Sequence, residues 1–390
     1  MTNSQTSSAG NPPGAVGAPA IVGQSLDSNT QGGIPFRRAT TGRTDKLQVI
    51  TGTVSTAIQR FDQSIDGSGY LYAVDIDVQV TTAGNSAAVA YNEDAPYNFL
   101  NSVVLRDVNG ELINLTGYHL FLLNMYAGYT PTLSRESSTD TNIYNKVTST
   151  GGTGGSFRFH LYAPAGINRR TLLGLVGNQD RAQRYSLRTD LDNTATVYST
   201  APTSAGTYTI TKIYENYSVP AAVNQFGIPQ QQFPDTFGAL HFLTQTVSES
   251  APVGGSTINH YIKRVGNTIR LLVLVFRSNS TRANAETYLP TGIQLKIGDT
   301  TIFNESAAYR RRVMFDRYGF DAPAGVLAYD FITDIVNIAG AEFGDDWIWT
   351  QSVVNMQFLI SYPSGFGSTA NSLTFLTSDL IIPPNVDPYK

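Results

Sequence analysis

Residues 104–128 read Val-Leu-Arg-Asp-Val-Asn-Gly-Glu-Leu-Ile-Asn-Leu-Thr-Gly-Tyr-His-Leu-Phe-Leu-Leu-Asn-Met-Tyr-Ala-Gly. The order is strand, tight turn, strand, helix. Asn109-Gly110 supplies two residues that tolerate positive φ, as a two-residue hairpin turn demands. Asn114 or Thr116 is placed to cap the helix by accepting a free backbone N–H. Leu120, Phe121, Leu122, Leu123 and Met125 form an apolar segment too short to span a membrane.

The same plan returns at residues 293–319, where Gly298-Asp299 marks the turn, Thr301–Phe303 the strand, and Asn304 or Ser306 the cap. Asn114-Leu115-Thr116 aligns with Asn304-Glu305-Ser306 at an offset of 304 − 114 = 190 residues. That spacing is one domain, far longer than the roughly 20–50 residues of a solenoid repeat. Two domains of one topology in tandem are therefore expected.

Composition supports a β-rich chain. Charged residues make up only 14% of the 390, while Gly numbers 35 and Tyr plus Phe 21 + 19 = 40. Cysteine is absent, which excludes disulfides, thiolate metal sites and a cysteine nucleophile. The net charge of −4 gives no general attraction for nucleic acid. No apolar run reaches spanning length, and the first residues lack a signal-peptide pattern.

Residues 1–44 are rich in Ser, Gly, Ala, Pro, Asn and Gln, with only Asp27, Arg37, Arg38 and Arg43 charged. Such a segment cannot bury enough apolar surface to offset its ordering entropy, so a flexible arm that orders against neighbours is expected. Strands then begin. In Tyr72–Val80, Tyr72, Val74, Ile76, Val78 and Val80 alternate with Ala73, Asp75, Asp77 and Gln79, the pattern of a half-buried antiparallel strand. Asp75 and Asp77 are expected on its solvated face rather than as paired catalytic carboxylates. Further strands are expected at 87–91, 99–106, 157–161, 172–176, 184–188, 195–198 and 208–217, which completes the eight of a jelly roll. Gly151–Gly155 precedes a strand instead of a helix, so it is expected as a surface loop and not a phosphate cradle.

Pro220, Pro229 and Pro234 beside Gln230-Gln231-Gln232 mark 220–237 as a linker. Strands resume at 241–246, 258–263 and 270–277, and later at 326–335, 347–362 and 372–382. In the 347–362 strand, Val354, Met356, Phe358 and Ile360 are expected to face inward, with Trp347 and Trp349 opposite. The expected fold is all-β: a double jelly roll of two tandem eight-stranded barrels with short helices in loops. Its parts are an arm at 1–44, barrels at 45–219 and 238–384, a linker at 220–237 and a tail at 385–390.

Catalytic signatures are missing. His119, His160, His241 and His260 have no second ligand at helical or strand spacing. There is no nucleophile elbow, Walker loop or zincin motif. Neither catalytic, cofactor-binding nor metal-binding residues are assigned, and no enzyme is predicted. Arg310-Arg311-Arg312 would fan round a helix, so structural pairing with carboxylates is expected of it.

Several segments together resemble one family. Asn98–Asp107 followed by Gly117-Tyr118-His119-Leu120 is similar to the first-domain segment of tectivirus-type major capsid proteins. Phe157–Leu161 with Thr171-Leu172-Leu173-Gly174-Leu175-Val176 resembles their strand and Asp-Leu-x-Gly turn, with Thr171 where the acid would stand. Tyr214–Val219 resembles their passage between domains. The resemblance implies a double jelly-roll capsid protein that assembles as pseudo-hexagonal homotrimers into an icosahedral virion shell. It implies a bacteriophage, minor capsid or vertex proteins as partners, and an internal lipid membrane touched by the arm. It implies no cofactor and no sequence-specific nucleic-acid binding. The arm here departs from the family's more helical one. Two other classes fit a two-domain jelly roll: a glycan-acting enzyme using Glu342, Asp345 or Asp346, and a carbohydrate-binding module using Trp347 and Trp349.

Overall fold

A computed structural model of the chain describes residues 33–67, 69–85, 87–129, 146–167, 169, 171–179, 184–283, 288–331, 347–351, 353, 355–367, 369–384 and 386. The elements begin with α1 (Phe36–Ala39), β1 (Gly42–Thr53), β2 (Gln59–Ser64), β3 (Gly69–Thr81), β4 (Ala90–Tyr91), β5 (Leu100–Arg106) and β6 (Glu111–Leu115). Next come α2 (Gly117–Tyr126), β7 (Lys146–Val147), β8 (Phe157–Pro164), β9 (Val176–Asn178), β10 (Ser186–Leu191), α3 (Thr194–Val197), β11 (Tyr198–Thr200) and β12 (Thr207–Tyr217). They continue with β13 (Leu240–Val247), β14 (Thr257–Tyr261), β15 (Thr268–Ser278), β16 (Thr281–Arg282), β17 (Gly292–Ile297) and β18 (Thr300–Glu305). The last are α4 (Ala307–Tyr318), β19 (Val326–Asp330), β20 (Ile348–Trp349), β21 (Met356–Ser361) and β22 (Ser372–Ile381).

The strand order is that of a jelly roll, twice over. The main strands of the first half are β1, β2, β3, β5, β6, β8, β10 and β12. They lie as β1-β12-β3-β8 in one sheet and β6-β5-β10-β2 in the other. In sequence rank that is first, eighth, third, sixth against fifth, fourth, seventh, second. The second half repeats both orders, with β13-β22-β15-β19 facing β14-β21-β17-β18. In each half a helix, α2 or α4, joins the fifth strand to the sixth. Two sheets facing each other over an apolar interior is the layer solution that alternating strands require. Val74, Ile76, Val78 and Val80 of β3 show why: all four are buried, and each contributes about 1.5–3 kcal/mol by leaving water.

The halves share one sheet. Leu243 and Thr244 of β13 pair in parallel with Ile113 and Asn114 of β6, so a ten-stranded sheet crosses from the first barrel into the second. A single contiguous set of buried apolar side chains likewise runs through both.

Several local expectations are corrected. Neither Asn109 nor Gly110 takes positive φ. The connection instead spans residues 107–110, because the Asp107 carboxylate accepts the N–H groups of Asn109 and Gly110, both at 2.8 Å. Of the expected 172–176 strand only Val176, which opens β9, is strand; residues 172–175 turn, with Leu172 at φ 57° and Gly174 at φ 83°. A side chain at Gly174 would also meet the Ala165 carbonyl oxygen at 2.7 Å. The expected strand at 195–198 begins as α3, capped by Asn193, whose side chain accepts the Thr196 N–H. The expected strand at 87–91 shrinks to β4. The long strand at 347–362 is β20 and β21, which belong to different sheets. Met356, Phe358 and Ile360 do face inward; Val354 lies outside the described residues.

Residues 33–44, expected within the arm, are part of the described fold. Ile34 N–H donates to the Pro229 carbonyl, and its own carbonyl accepts from Gln231 N–H, both at 3.0 Å. Phe36 is buried, its ring edge-on to Tyr70, which in turn packs on Phe237. Residues 33–41 are therefore fastened to the linker, and β1 starts at Gly42. Residues 1–32 lie outside the described set.

Candidate functional site at the barrel junction

The most elaborate polar and aromatic contacts surround α2, where the second barrel closes on the first. Thr116 caps α2 by accepting the His119 N–H at 3.3 Å. From β13, Gln245 Oε1 accepts both the Thr116 N–H, at 3.2 Å, and His119 Nδ1–H, at 2.5 Å. Burial lowers the pKa of His119 and so favours the neutral ring, outweighing the bond to Gln245, which acts the other way. Across the seam, Asp94 before β5 meets Arg277 of β15 and, at 3.2 Å, Arg282 of β16. Arg282 also donates to the Tyr118 hydroxyl at 2.9 Å and lies over its ring. At the far end of α2, Tyr126 packs edge-on against Tyr318, with Phe320 beside it.

Each barrel also holds polar groups deep inside. In the first, Lys212 of β12 faces the core with Ile210 and Tyr214, wholly buried, and donates to Thr189 Oγ1 at 2.8 Å. Burial pulls its pKa down to about 7. In the second, Asp379 is fully buried and accepts from Arg264, Asn267 and the Thr377 hydroxyl. On the other face of the same sheet, turned to Pro164, Ala165 and Gly174 of the first barrel, His241 bonds the Ser378 hydroxyl at 2.9 Å, and burial lowers its pKa to about 3, the Arg270 cation adding to the effect. The alternation of β12 puts position 212 inside, which is legible in sequence. What the lysine meets there depends on pairing across the barrel and is not.

The singled-out residues do not converge. Asp75 and Asp77 are not on a bare solvated face: they pair across to β8, Asp75 with His160 Nε2 at 2.6 Å and Asp77 with Arg158 at 2.7 Å. The partners stand about 80 residues away, so neighbouring sequence could not reveal them. Arg310 stacks over Tyr329 and reaches Asp330 at 3.4 Å, while Arg312 lies 3.8 Å from Asp316. Arg311 donates to the Ala322 carbonyl. Pairing with carboxylates thus holds for two of the three arginines. Gly151–Gly155 is a loop tied to Thr82 and Asn85 through the Gly154 carbonyl. Trp347 is buried among Ile167, Leu173, Ala239 and Ile382, and only Trp349 is exposed, so the two indoles form no shared platform. Glu342, Asp345 and Asp346 lie outside the described residues. Among the described residues no three His, Asp or Glu gather as a metal site, and no helix is long and apolar enough to cross a membrane.

No family model matches the chain, and no curated protein does. Solved structures match over almost the whole length. The STIV MCP aligns with a TM-score of 0.61 at 13% identity, covering 90% of this chain and 98% of that one. A chain of the PBCV-1 virus capsid gives 0.58 at 14% identity, covering 87% and 93%. The major capsid protein P2 from Bacteriophage PM2 gives 0.50 at 10% identity, covering 89% and 100%. With the strand orders above, these alignments establish that the chain has the double jelly-roll fold of viral major capsid proteins.

Proposed function

We propose that this chain is the major capsid protein of an icosahedral virus, assembling as homotrimers with a pseudo-hexagonal footprint that tile the shell. The observation that carries this reading is the repeated jelly-roll order joined by one sheet, shared with chains from viral capsids over 87–90% of this chain. Two similar barrels per chain suit closed assembly, because three chains present six near-equivalent units round an axis. That the virus is a bacteriophage, with a membrane beneath the shell and minor capsid or vertex proteins as partners, completes the proposal. We place the functional units at 42–219, where β1 moves the expected start from 45, and at 238–384, joined through 220–237. The burial of Trp347 counts against a sugar platform.

Light scattering of the purified full chain, with electron microscopy of particles formed at high concentration, tests this. Trimers, and flat or curved arrays of hexagonal tiles, are expected. A chain that stays monomeric at micromolar concentration and forms no arrays overturns it.

A further inference from the structure

The junction inside the chain has an open counterpart on its far side. Ser306 caps α4 as Thr116 caps α2, at an offset of 306 − 116 = 190 residues. Positions related by 190 occupy the same place in the two barrels, yet their exposure differs. Leu112 is 5% exposed and Ile302 49%. His119 is 9% exposed and Tyr309 56%. Met125 is 4% exposed and Phe315 49%. In the first barrel the second barrel stands over this side: β6 pairs with β13, and Gln245 reaches Thr116 and His119. In the second barrel no described residue is seen to stand over it in this way, and among the described strands β18 is a sheet edge paired with β17.

The complementary piece is also present and unpaired. β13 is the first strand of its barrel and β1 the first of the other; each lies beside the last, with Leu240 opposite Ile381 and Gly42 opposite Tyr217. β13 uses its outer edge on β6. Among the described strands none lies on the outer edge of β1, and Arg43, Thr44, Lys46, Gln48 and Val49 are exposed along it. Exposed edges at two ends of one molecule are templates for pairing between copies.

We propose that β18 and α4 of one copy dock on β1 of a second copy, repeating between chains the junction that joins the barrels within one. The register follows from the internal pair. Leu243 and Thr244 lie three and four residues into β13, as Asp45 and Lys46 lie three and four into β1. Ile113 and Asn114 correspond through the offset of 190 to Phe303 and Asn304. Asp45 and Lys46 of one copy therefore lie beside Phe303 and Asn304 of the next, in parallel. Ile302, Tyr309 and Phe315 are covered by the neighbour. The contact is head-to-tail, the kind that forms a ring where the rotation between copies closes. This deepens the shell-subunit reading and rests on it for the closure at three chains.

The chain has no cysteine, so the double variant Lys46→Cys/Asn304→Cys tests the register directly. Under a short bismaleimide it is expected to migrate as a covalent species of three chains on a denaturing gel, while each single variant stays at one chain. Ile302→Glu/Phe315→Glu, altering exposed side chains, is expected to keep the wild-type circular dichroism but fall from three chains to one in light scattering. Val108→Glu, at a residue 64% exposed on a hairpin connection, is expected to remain at three. If the wild type is trimeric but the double cysteine variant gives no linked species and the double glutamate variant stays trimeric, this face is wrong and the shell reading survives. A wild type that is monomeric overturns both. Should the glutamate variant aggregate, the cross-linking result alone decides.

Discussion

Thr116 and Ser306 do the same task in two barrels. Each sits in extended backbone before a helix and accepts the N–H three residues on, from His119 at 3.3 Å and from Tyr309 at 3.2 Å. Thr116→Ala and Ser306→Ala should each lower stability by about 1 kcal/mol, the usual loss for a cap of this kind. Their surroundings differ, since Thr116 also donates its backbone N–H to Gln245. Urea unfolding of both single variants and the double variant checks this; the two losses should add, because no shared partner couples them.

Lys212 should destabilise the barrel it occupies. Its pKa is lowered from 10.5 to about 7 in the folded chain. Between these values the unfolded chain holds the proton more firmly, so stability rises as pH climbs from about 7 to 10.5 and is flat with respect to this group below 7. Lys212→Met with Thr189→Val replaces the pair by apolar groups of similar size. The double variant should melt higher than wild type at pH 7 and lose that part of the alkaline rise. Melting temperatures from pH 6 to 10 test both statements.

Buried histidines set the acid side. Burial lowers His241 to about 3 and His260 to about 4, and His119 is lowered as well. Each resists protonation in the folded chain but accepts it near 6.5 once unfolded. Stability should therefore fall steadily as pH drops below about 6.5, and the fall from His260 should level off near 4. In a proton-resonance titration, the His260 ring signals should hold their neutral positions at pH 5.

Asp379→Ala should be severe. It would leave Arg264, Asn267 and the Thr377 hydroxyl without their common acceptor in the second barrel. Removing one partner of a buried ion pair costs about 3–5 kcal/mol. A drop of that size in urea unfolding, with Arg264→Ala/Asp379→Ala recovering part of it, is the expected result.

The architecture was legible because period-two alternation and a repeated cap motif are local signals. Val74 to Val80 announce one buried face, and the offset of 190 links the two caps. What escaped depended on partners distant in sequence. His160 meets Asp75 only because β8 pairs with β3. The turn at 107–110 follows Asp107, whose carboxylate outcompetes the conformation that Asn109-Gly110 would otherwise favour. Ile34 and Phe36 are fastened by Pro229, Gln231 and Tyr70, none of which is near them in sequence. The junction drew on the same cause: nothing near Gln245 in sequence announces that its side chain serves the start of α2.

The parallel seam between β6 and β13 also sets a schedule. Ile113 leaves the ribosome 243 − 113 = 130 residues before Leu243, its partner. At about 5–20 residues per second, the edge of β6 waits on the order of ten seconds for a strand to lie against. Once β12 has closed the first barrel, that edge offers open backbone donors and acceptors beside an apolar helix until β13 arrives. Crowded polysomes making this chain hold many such edges at once. The first half is thus a unit whose completion is postponed until the second has begun.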